Sequence, residues 1–591
     1  METTAAIPQV TQSKMNVTNG PVTQNNNLVL SRTNSSRSLS SYTKKKSSFK
    51  LGGFQSYFHD PELQLMNISG ALSKEQRLKR QKMGLQPKEG VYAINQDDII
   101  HAIPFGVFQI KFTIIIFIHY ISSSFLIYNM AFFLLKPEFY QCTYSVDVVS
   151  SVYPCSREYV CNNDIRMYLK SWKANKQADP HLVNWIDQLD LHCLDSFNLG
   201  LLGALICLGM AISTMLIPIL VEKFGRRIFT YMSSVIQLAC FFAFMFSTDL
   251  YTYMTCLFFI GLTLPIKHFV TYPHLMELIP RQQIMVGGMI RCVDALVFSI
   301  SPLILNFLSD DTNLLLKVAI ALNFISFFGL LALYVPESIK FNLTVGLYQR
   351  AQMDILYICQ QDHVTKVKAE QLQQLVQRYQ YQNEDHETGI QNYGLLQRQA
   401  SSNKFISTDH FNKFNLINLA LMMTCWIATK FTFMTLIFVV KYLPGDIFTT
   451  TALGGASALI FLLQELIYKK VCPKKSQQFA YFISVLALLV MIFFDKHSAN
   501  HHVVVYAIVT LVLRIGVNLS FGTIFIQHQD LFERDFIGIS YAACTFFSRL
   551  FAILAPIIVE SKNKKMPLYA MLAINGLAFV ATSLLVVRKK E

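Results

Sequence analysis

Ten ionisable side chains stand inside stretches of the sequence that are otherwise strongly apolar. They are Lys111, His119, Lys267, His268, Arg291, Asp294, Lys430, Glu465, Arg514 and Arg549. A charged group inside a membrane span costs at least about 2.5–3.5 kcal/mol, so it usually faces a cavity or a partner. Because most of the ten are cationic, they argue mildly against a neutral ligand such as a sugar.

Several of these residues have more than one interpretation. Arg291 and Asp294 are three residues apart and can touch on one helical face, so we predict an internal ion pair. Lys267 and His268 could add a cationic lining or a proton relay, or could neutralise an acid elsewhere. Lys267 is therefore a candidate substrate-binding residue. Three further candidates could line an amphipathic pocket: His119, Tyr120 and Phe433.

Sequence motifs for catalysis and for nucleotide binding are missing. The chain contains no GxxxxGK(S/T) phosphate loop, no HExxH, no GxSxG and no paired Cys-x-x-Cys. We therefore predict neither an enzyme nor a pump driven by ATP bound to this chain, and we expect no cofactor and no metal site.

The apolar residues around these groups come in runs near the length of a membrane span. Hydrophobic residues make up 52% of the 591-residue chain, charged ones only 15%, and the mean hydropathy is +0.36. In hydrocarbon every backbone polar group must be satisfied internally, so each run is predicted to be an α-helix. The twelve runs, which predict an all-α integral membrane protein, cover residues 102–135, 197–221, 228–247, 251–277, 284–308, 314–335, 414–440, 447–468, 477–494, 501–526, 536–560 and 567–587.

Two long polar stretches interrupt the runs and divide them into six and six. We predict an N-terminal six-helix bundle over residues 96–335, containing a long loop over 136–196. A linker over 336–412 leads to a C-terminal six-helix bundle over 413–591. Residues 1–95 are rich in Ser, Asn, Gln and Lys and cannot bury enough apolar surface to fold, so they are predicted to be a disordered basic tail.

The distribution of basic residues predicts the orientation of the chain. With the tail in the cytoplasm, the short inner connectors hold twelve Lys and Arg residues and the outer ones hold five. Both termini and the linker are therefore predicted to be cytoplasmic, at the plasma membrane or an internal membrane. The net charge of +14 then reflects this bias rather than nucleic-acid binding, and the basic tail could rest on anionic lipid or stay solvated.

Four cysteines share the loop that this orientation places outside the cytoplasm: Cys142, Cys155, Cys161 and Cys193. An oxidising compartment favours disulfides over zinc, and the spacing lacks the paired Cys-x-x-Cys of many zinc sites. We predict up to two disulfides, in any of three pairings that the sequence leaves open.

Short motifs at the predicted helix ends have a recognisable pattern. Residues 222–227 (Glu-Lys-Phe-Gly-Arg-Arg) lie between the second and third helices and resemble the acid-Arg-x-Gly-Arg-Arg signature of the major facilitator superfamily. Residues 336–338 (Pro-Glu-Ser), after the sixth helix, are similar to a motif of sugar and organic-ion transporters. Residues 104–109 (Pro-Phe-Gly-Val-Phe-Gln) resemble a motif of the organic cation and anion transporters among the solute carriers.

The resemblance to this transporter family extends over residues 98–587. Gly261 and Glu277 have the spacing of the family's fourth helix and its terminal acid, and Trp426 begins a stretch similar to another of its motifs. Further matches in the second half fall at Arg514, Phe521, Asp530, Arg534, Gly538, Arg549 and Pro556.

The resemblance implies two bundles that rock about a substrate cavity near the bilayer midplane. It also implies residues near helix ends that clamp one access state and release in the other. The candidate gating residues are Glu222, Lys223, Gly225, Arg226, Arg227, Glu277, Glu337, Arg514, Asp530 and Arg534.

Arg549 carries the expectation about the substrate. In the resembled family this position tends to hold Asp in cation carriers and Arg in anion carriers, and a guanidinium there could bind a carboxylate or sulfate bidentately. Lys430 could replace a second membrane lysine that often assists anion carriers. Alternatively, Arg549 pairs permanently with a protein carboxylate and touches no ligand.

We therefore expect a secondary transporter of a small organic ion, with an anion favoured. It would act by facilitated diffusion or by coupling to a proton or sodium gradient. A sugar carrier and an organic-cation carrier are alternatives. A non-transporting receptor or scaffold is another, because residues 472–475 (Cys-Pro-Lys-Lys) replace the family's second Gly-Arg-Arg.

Overall fold

The computed structural model describes residues 94–137, 139–144, 152–162, 169–174, 182–279, 283–390, 413–493, 503–532 and 534–586. The predicted tail lies outside these ranges except for its last two residues. The final part of the predicted linker, residues 391–412, also lies outside them.

Twelve helices of the described residues are long and apolar enough to cross a membrane, and we number them α1–α12 in chain order. Their bounds are Val107–Phe133, Ser196–Phe224, Arg227–Phe246, Leu250–Leu278, Met285–Phe307, Asn313–Leu333, Lys413–Tyr442, Ile447–Gln464, Pro473–Phe493, Val504–Leu531, Phe536–Val559 and Met566–Leu584. Each matches one predicted run within five residues at either end. The predicted twelve-helix integral membrane fold is confirmed.

The helices form a first half, α1–α6, and a second half, α7–α12. The halves meet where α2 packs against α11 and where α5 packs against α8. We call the end of the bundle that carries the loop between α1 and α2 the disulfide end. The opposite end, where the chain passes from α6 to α7, is the linker end.

Within the first half, α2 and α4 approach each other closely at two glycines. A side chain at Gly209 would collide with the carbonyl oxygen of Phe258, and one at Gly261 would collide with that of Ile206. Small residues at such positions let the backbones of membrane helices pack in direct contact. The close packing fixes the position of α4, which carries several of the residues described below.

The loop at the disulfide end contains a small sheet that the sequence reasoning missed. Strands β1 (Phe139–Tyr144), β2 (Val152–Ser156) and β3 (Leu169–Ala174) pair antiparallel in the order β2-β1-β3. Disulfides join Cys142 to Cys155 and Cys161 to Cys193, which settles the pairing that the sequence left open. The strands are too short to stand out beside membrane-length runs.

The predicted polar linker is helical over much of its described length, with helices at Ile339–Thr344, Tyr348–Gln361 and Lys366–Ile390. These helices dock on the first half. Asp362, just after the second of them, accepts a 2.6 Å hydrogen bond from the backbone N–H of Phe108 in the first turn of α1. A carboxylate at a helix N-terminus satisfies free N–H groups and complements the helix dipole.

Candidate functional site

A cavity of about 950 Å³ lies between the two halves. Its lining comes mainly from α1, α4 and α5 of the first half and from α7, α8, α10 and α11 of the second. Glu277 and Lys340 line it at the linker end. At the disulfide end the halves meet directly, for example where the rings of Phe132 and Phe448 stack 5.7 Å apart. The cavity therefore extends from the middle of the bundle toward the linker end.

The cavity lining is rich in cations. Lys267, Arg291, Lys430 and Arg549 all contribute to it, while Asp294 is the lining carboxylate closest to them in the described part of the chain. The other lining carboxylate, Glu277, lies at the linker end. The middle of the cavity thus has an excess of positive charge.

Arg549 lies on α11 and is 4% exposed. Its guanidinium carbon is 5.5 Å from the centre of the Phe269 ring on α4, so it reaches across the interface between the halves. No described carboxylate lies within 4.0 Å of it, and its Nε has no hydrogen-bond partner there. The alternative in which Arg549 is neutralised by a protein carboxylate finds no support among the described residues.

Lys430 lies on α7, which packs against α11. Its Nζ is 4.4 Å from the ring centre of Phe521 and 5.9 Å from that of Phe433. The described residues offer it no ion pair within 4.0 Å. Aromatic faces attract cations without neutralising them. Lys430 and Arg549 thus have no acidic partner among the described residues.

Lys267 differs from these two cations because neutral groups of the first half hold it. Its Nζ donates to the carbonyl oxygen of His119 and, at 2.8 Å, to the hydroxyl of Ser123. Its own carbonyl accepts a 2.6 Å hydrogen bond from Tyr120. Lys267 also begins a π-helical turn, Lys267–Thr271, of a kind often found at functional sites. It lines the cavity mainly as a tie between α4 and α1.

The predicted ion pair between Arg291 and Asp294 is wrong. Asp294 accepts hydrogen bonds from the hydroxyls of Ser124 and, at 2.6 Å, Tyr128, both on α1. Arg291 instead places its guanidinium 5.6 Å from the ring centre of Phe525 on α10. Two residues three apart share a helical face, but here their side chains turn toward different halves of the molecule.

The aromatic and histidine candidates divide between the cavity and the helix packing. Tyr120 and Phe433 line the cavity, as does His268, whose ring meets that of Tyr120 edge to face at 5.5 Å. His119 does not line it. Its ring is fully buried and hydrogen-bonds with Ser233 and Ser234 of α3, which removes it from the substrate-binding candidates.

A clamp of charged groups occupies the linker end of the first half. Arg226 forms a 2.6 Å ion pair with Glu277 at the end of α4. Glu337, after α6, accepts hydrogen bonds from the backbone N–H groups of Arg226 and Arg227 at 2.8 and 3.1 Å. Gly225 has φ +87° and a side chain there would meet Glu337, so glycine is required.

The other predicted gating residues lie apart from this clamp. Glu222 and Lys223 are exposed, so the acid that pairs with the arginines comes from α4 instead of their own turn. Arg514 is buried in the core, 4.2 Å from the ring centre of Phe298 on α5. Asp530 lies near the end of α10, and the side chain of Arg534 is outside the described part of the chain.

The disulfide end holds a buried ion pair that sequence reasoning missed. Lys441 and Glu560, whose side chains are 1% and 4% exposed, pair at 2.6 Å, and Tyr442 donates a 2.6 Å hydrogen bond to Glu560. Lys441 also donates at 3.0 Å to the carbonyl oxygen of Leu134 in the first half. Burial alone would raise the pKa of Glu560, but Lys441 holds that pKa below its usual value.

Residues 112–556 match the family model of the Major Facilitator Superfamily. No curated protein sequence matches the chain significantly. The structure is similar to the inward open conformation of the xylose transporter XylE from E. coli, with a TM-score of 0.53 and 11% identity, covering 82% of this chain and 96% of that one. It is also similar to the proton:xylose symporter XylE bound to 6-bromo-6-deoxy-D-glucose, with a TM-score of 0.51 and 11% identity, covering 83% and 95%. At this identity the likeness shows the fold.

Proposed function

The chain belongs to the Major Facilitator Superfamily, whose fold supports secondary transport of a small solute, and we propose that its solute is a small organic anion. The observation that carries this proposal is the pair Arg549 and Lys430. Both line the cavity, and neither has a carboxylate partner among the described residues.

The chemistry of the two cations suits an anion with an apolar body. A guanidinium binds a carboxylate or sulfate through two parallel hydrogen bonds, and an ammonium adds a point charge. Phe269, Phe433 and Phe521 lie beside these cations and offer apolar surface to the rest of the molecule. An anion would gain charge-assisted hydrogen bonds here without displacing a protein carboxylate.

Transport follows from alternating exposure of this cavity. We infer that residues 96–335 and 413–591 are the two moving bundles and that 336–412 is a cytoplasmic linker. Both termini would then be cytoplasmic, with the basic tail near anionic lipid, in the plasma membrane or an internal one. In this orientation the described state faces the cytoplasm, and the contacts at the disulfide end close the outer side.

A pentose or hexose carrier is the second candidate. XylE, whose fold this chain shares, is a proton:xylose symporter. Gln464 and Gln529 also line the cavity and could hydrogen-bond sugar hydroxyls. Against a sugar, the four cations in the middle of the cavity would have to stay unneutralised around a neutral ligand.

Uptake by proteoliposomes that contain the full chain tests these candidates. The panel comprises labelled para-nitrophenyl sulfate, a labelled organic cation and labelled xylose. We expect saturable uptake of the sulfate ester, reduced about 10- to 100-fold in kcat/KM by Arg549→Gln, because a hydrogen bond to a charged group contributes about 1.5–3 kcal/mol.

Two exposed basic residues outside the cavity provide matched controls. Arg350→Gln is the control for Arg549→Gln, and Lys317→Gln is the control for Lys430→Gln, because each removes one positive charge of the same kind. Both controls should leave uptake unchanged. Xylose or cation uptake without anion uptake would overturn the anion assignment. Binding without flux by folded protein would point to a receptor.

A further inference from the structure

Asp294 places an acidic group in a cavity whose lining is otherwise rich in cations. It is the carboxylate nearest the cations of the lining, and it would repel an anionic substrate while charged. Protonation would remove this repulsion and raise the net charge of the cavity by one. Substrate and proton should therefore favour each other's binding, because coupling between two sites is reciprocal.

The contacts of Asp294 allow both protonation states. Its two oxygens accept hydrogen bonds from Ser124 and Tyr128, which stabilise the carboxylate. Hydroxyl groups can also accept, so the same partners can take a hydrogen bond from the protonated acid after rotating. Because both partners lie on α1, the change of donor and acceptor occurs at the contact between α1 and α5.

The surrounding charges do not fix Asp294 in one state by direct pairing. The titratable and charged groups that face this region are Lys267, His268 and Tyr272 from α4, Tyr120 and Tyr128 from α1, Arg291 from α5, Arg514 from α10, and Tyr468 in the continuation of α8. Within the described residues none of these cations lies within 4.0 Å of the Asp294 carboxylate.

The cations nearby are instead held by neutral groups. Lys267 donates to His119 and Ser123, Arg291 rests on Phe525, and Arg514 rests on Phe298. Asp294 is only half-buried and lines the cavity, so a proton can reach it through the same opening as the substrate.

We propose that Asp294 is the site at which a proton binds and travels with the organic anion. One proton adds to the carboxylate when the anion enters, and it leaves with the anion on the other side. This inference rests on the proposed anion transport, and it makes the protein a proton–anion symporter.

The test compares two assays on Asp294→Asn, which resembles the protonated acid. Proteoliposomes exchange labelled para-nitrophenyl sulfate at equal pH, or accumulate it with acid outside; the charge of this probe does not change with pH in the working range. We expect Asp294→Asn to keep exchange but to lose gradient-driven accumulation about tenfold. Its exchange should also no longer depend on pH.

Asp310→Asn is the matched control, because Asp310 is exposed at the connection between α5 and α6. It should retain both activities. Accumulation by Asp294→Asn at the wild-type level would overturn the proposal. Loss of accumulation in His268→Gln, with retention in Asp294→Asn, would assign the proton to that imidazole and overturn it as well.

Tyr128→Phe gives a second measurement that does not depend on the folding of Asp294→Asn. It removes a donor to the carboxylate, so the pH midpoint of exchange should move upward, and an unchanged midpoint would contradict the proposal. Wild-type exchange without accumulation would leave anion transport standing and refute the proton site. Neither activity in the wild type would refute both.

Discussion

The two ends of the helix bundle place their ion pairs differently. At the disulfide end, Lys441 pairs with Glu560 in a buried site and also bonds the carbonyl of Leu134 in the other half. At the linker end, Arg226 and Glu277 are partly exposed and both belong to the first half. Contacts that cross the halves hold them together, whereas contacts within one half only stiffen it. Lys441 thus joins the two halves at the closed end of the cavity, whereas the Arg226–Glu277 pair joins only helices of the first half at the end toward which the cavity extends.

The largest effect should come from breaking the buried pair with Glu560→Gln. Removing one partner of such a pair leaves an uncompensated buried charge, which costs about 3–5 kcal/mol. We expect the free energy of unfolding of the purified protein to fall by about this amount. Glu158→Gln, an exposed acid in the loop between α1 and α2 at the same end of the bundle, is the control and should change little.

A paired substitution sharpens this expectation. Lys441→Met combined with Glu560→Leu removes both charges and should restore much of the stability, because apolar groups of similar volume can replace a buried pair. A double variant as unstable as Glu560→Gln would show that the pair does more than satisfy its own charges.

The next largest effect should come from the disulfides, which brace the disulfide end covalently. The Cys161–Cys193 bridge spans 32 residues and the Cys142–Cys155 bridge spans 13. Chain entropy predicts that replacing the Cys161–Cys193 bridge with serines lowers the free energy of unfolding by about 4 kcal/mol. Replacing the Cys142–Cys155 bridge should lower it by about 3 kcal/mol. Limited proteolysis of the loop should follow that order; the reverse order would mean that strain or residual structure outweighs loop length.

A smaller effect is expected at the linker end from Glu277→Gln. The side chains of Arg226 and Glu277 are 22% and 17% exposed, so solvent screens part of their attraction, and we expect a loss of about 1.5 kcal/mol. Asp97→Asn breaks the more exposed Lys340 pair and should have little effect. If Glu277→Gln lowered the thermal unfolding temperature as much as Glu560→Gln, the predicted difference in stability between the two ion pairs would be wrong.

The smallest effect is a pH dependence in the linker. Burial raises the pKa of Asp354 from its ordinary value of 3.8 to about 6, and Glu337 adds to the rise. Between these two pH values the folded linker holds a proton on Asp354 that the unfolded linker releases. The contribution of Asp354 to the free energy of unfolding is therefore full below pH 3.8 and is lost as the pH rises to about 6. Because solvent screens this group, we expect the free energy of unfolding to change by about 1 kcal/mol or less over this pH range. Hydrogen exchange of the linker should show this slope, and Asp354→Asn should flatten it.

The fold could be predicted from sequence because hydrocarbon permits few solutions. A run of about 20 apolar residues must be helical, and twelve such runs gave twelve helices. Arg549 was found by the position of its motif. The partners of single side chains were not predictable in the same way, because they depend on how each helix is rotated.

Three cases illustrate this limit. His119 and Tyr120 are neighbours on α1, yet one faces α3 and the other the cavity. Asp294 bonds with α1 and not with Arg291, one turn away. In the sequence, Lys441 was only one of the five basic residues of the outer connectors. Glu560 is the sole acid at the end of α11, and it could have suggested an acidic partner for Lys441.

The carboxylate of Asp362 at the start of α1 has a mechanical consequence. A helix is stiff along its axis, and α1 runs about 30 Å from Phe108, which bonds Asp362, to Tyr128, which bonds Asp294. A displacement of the linker helices would therefore shift the start of α1, and α1 would carry that shift to Tyr128, which bonds the Asp294 carboxylate in the cavity. A force applied to the linker would therefore be transmitted along α1 to the carboxylate in the cavity.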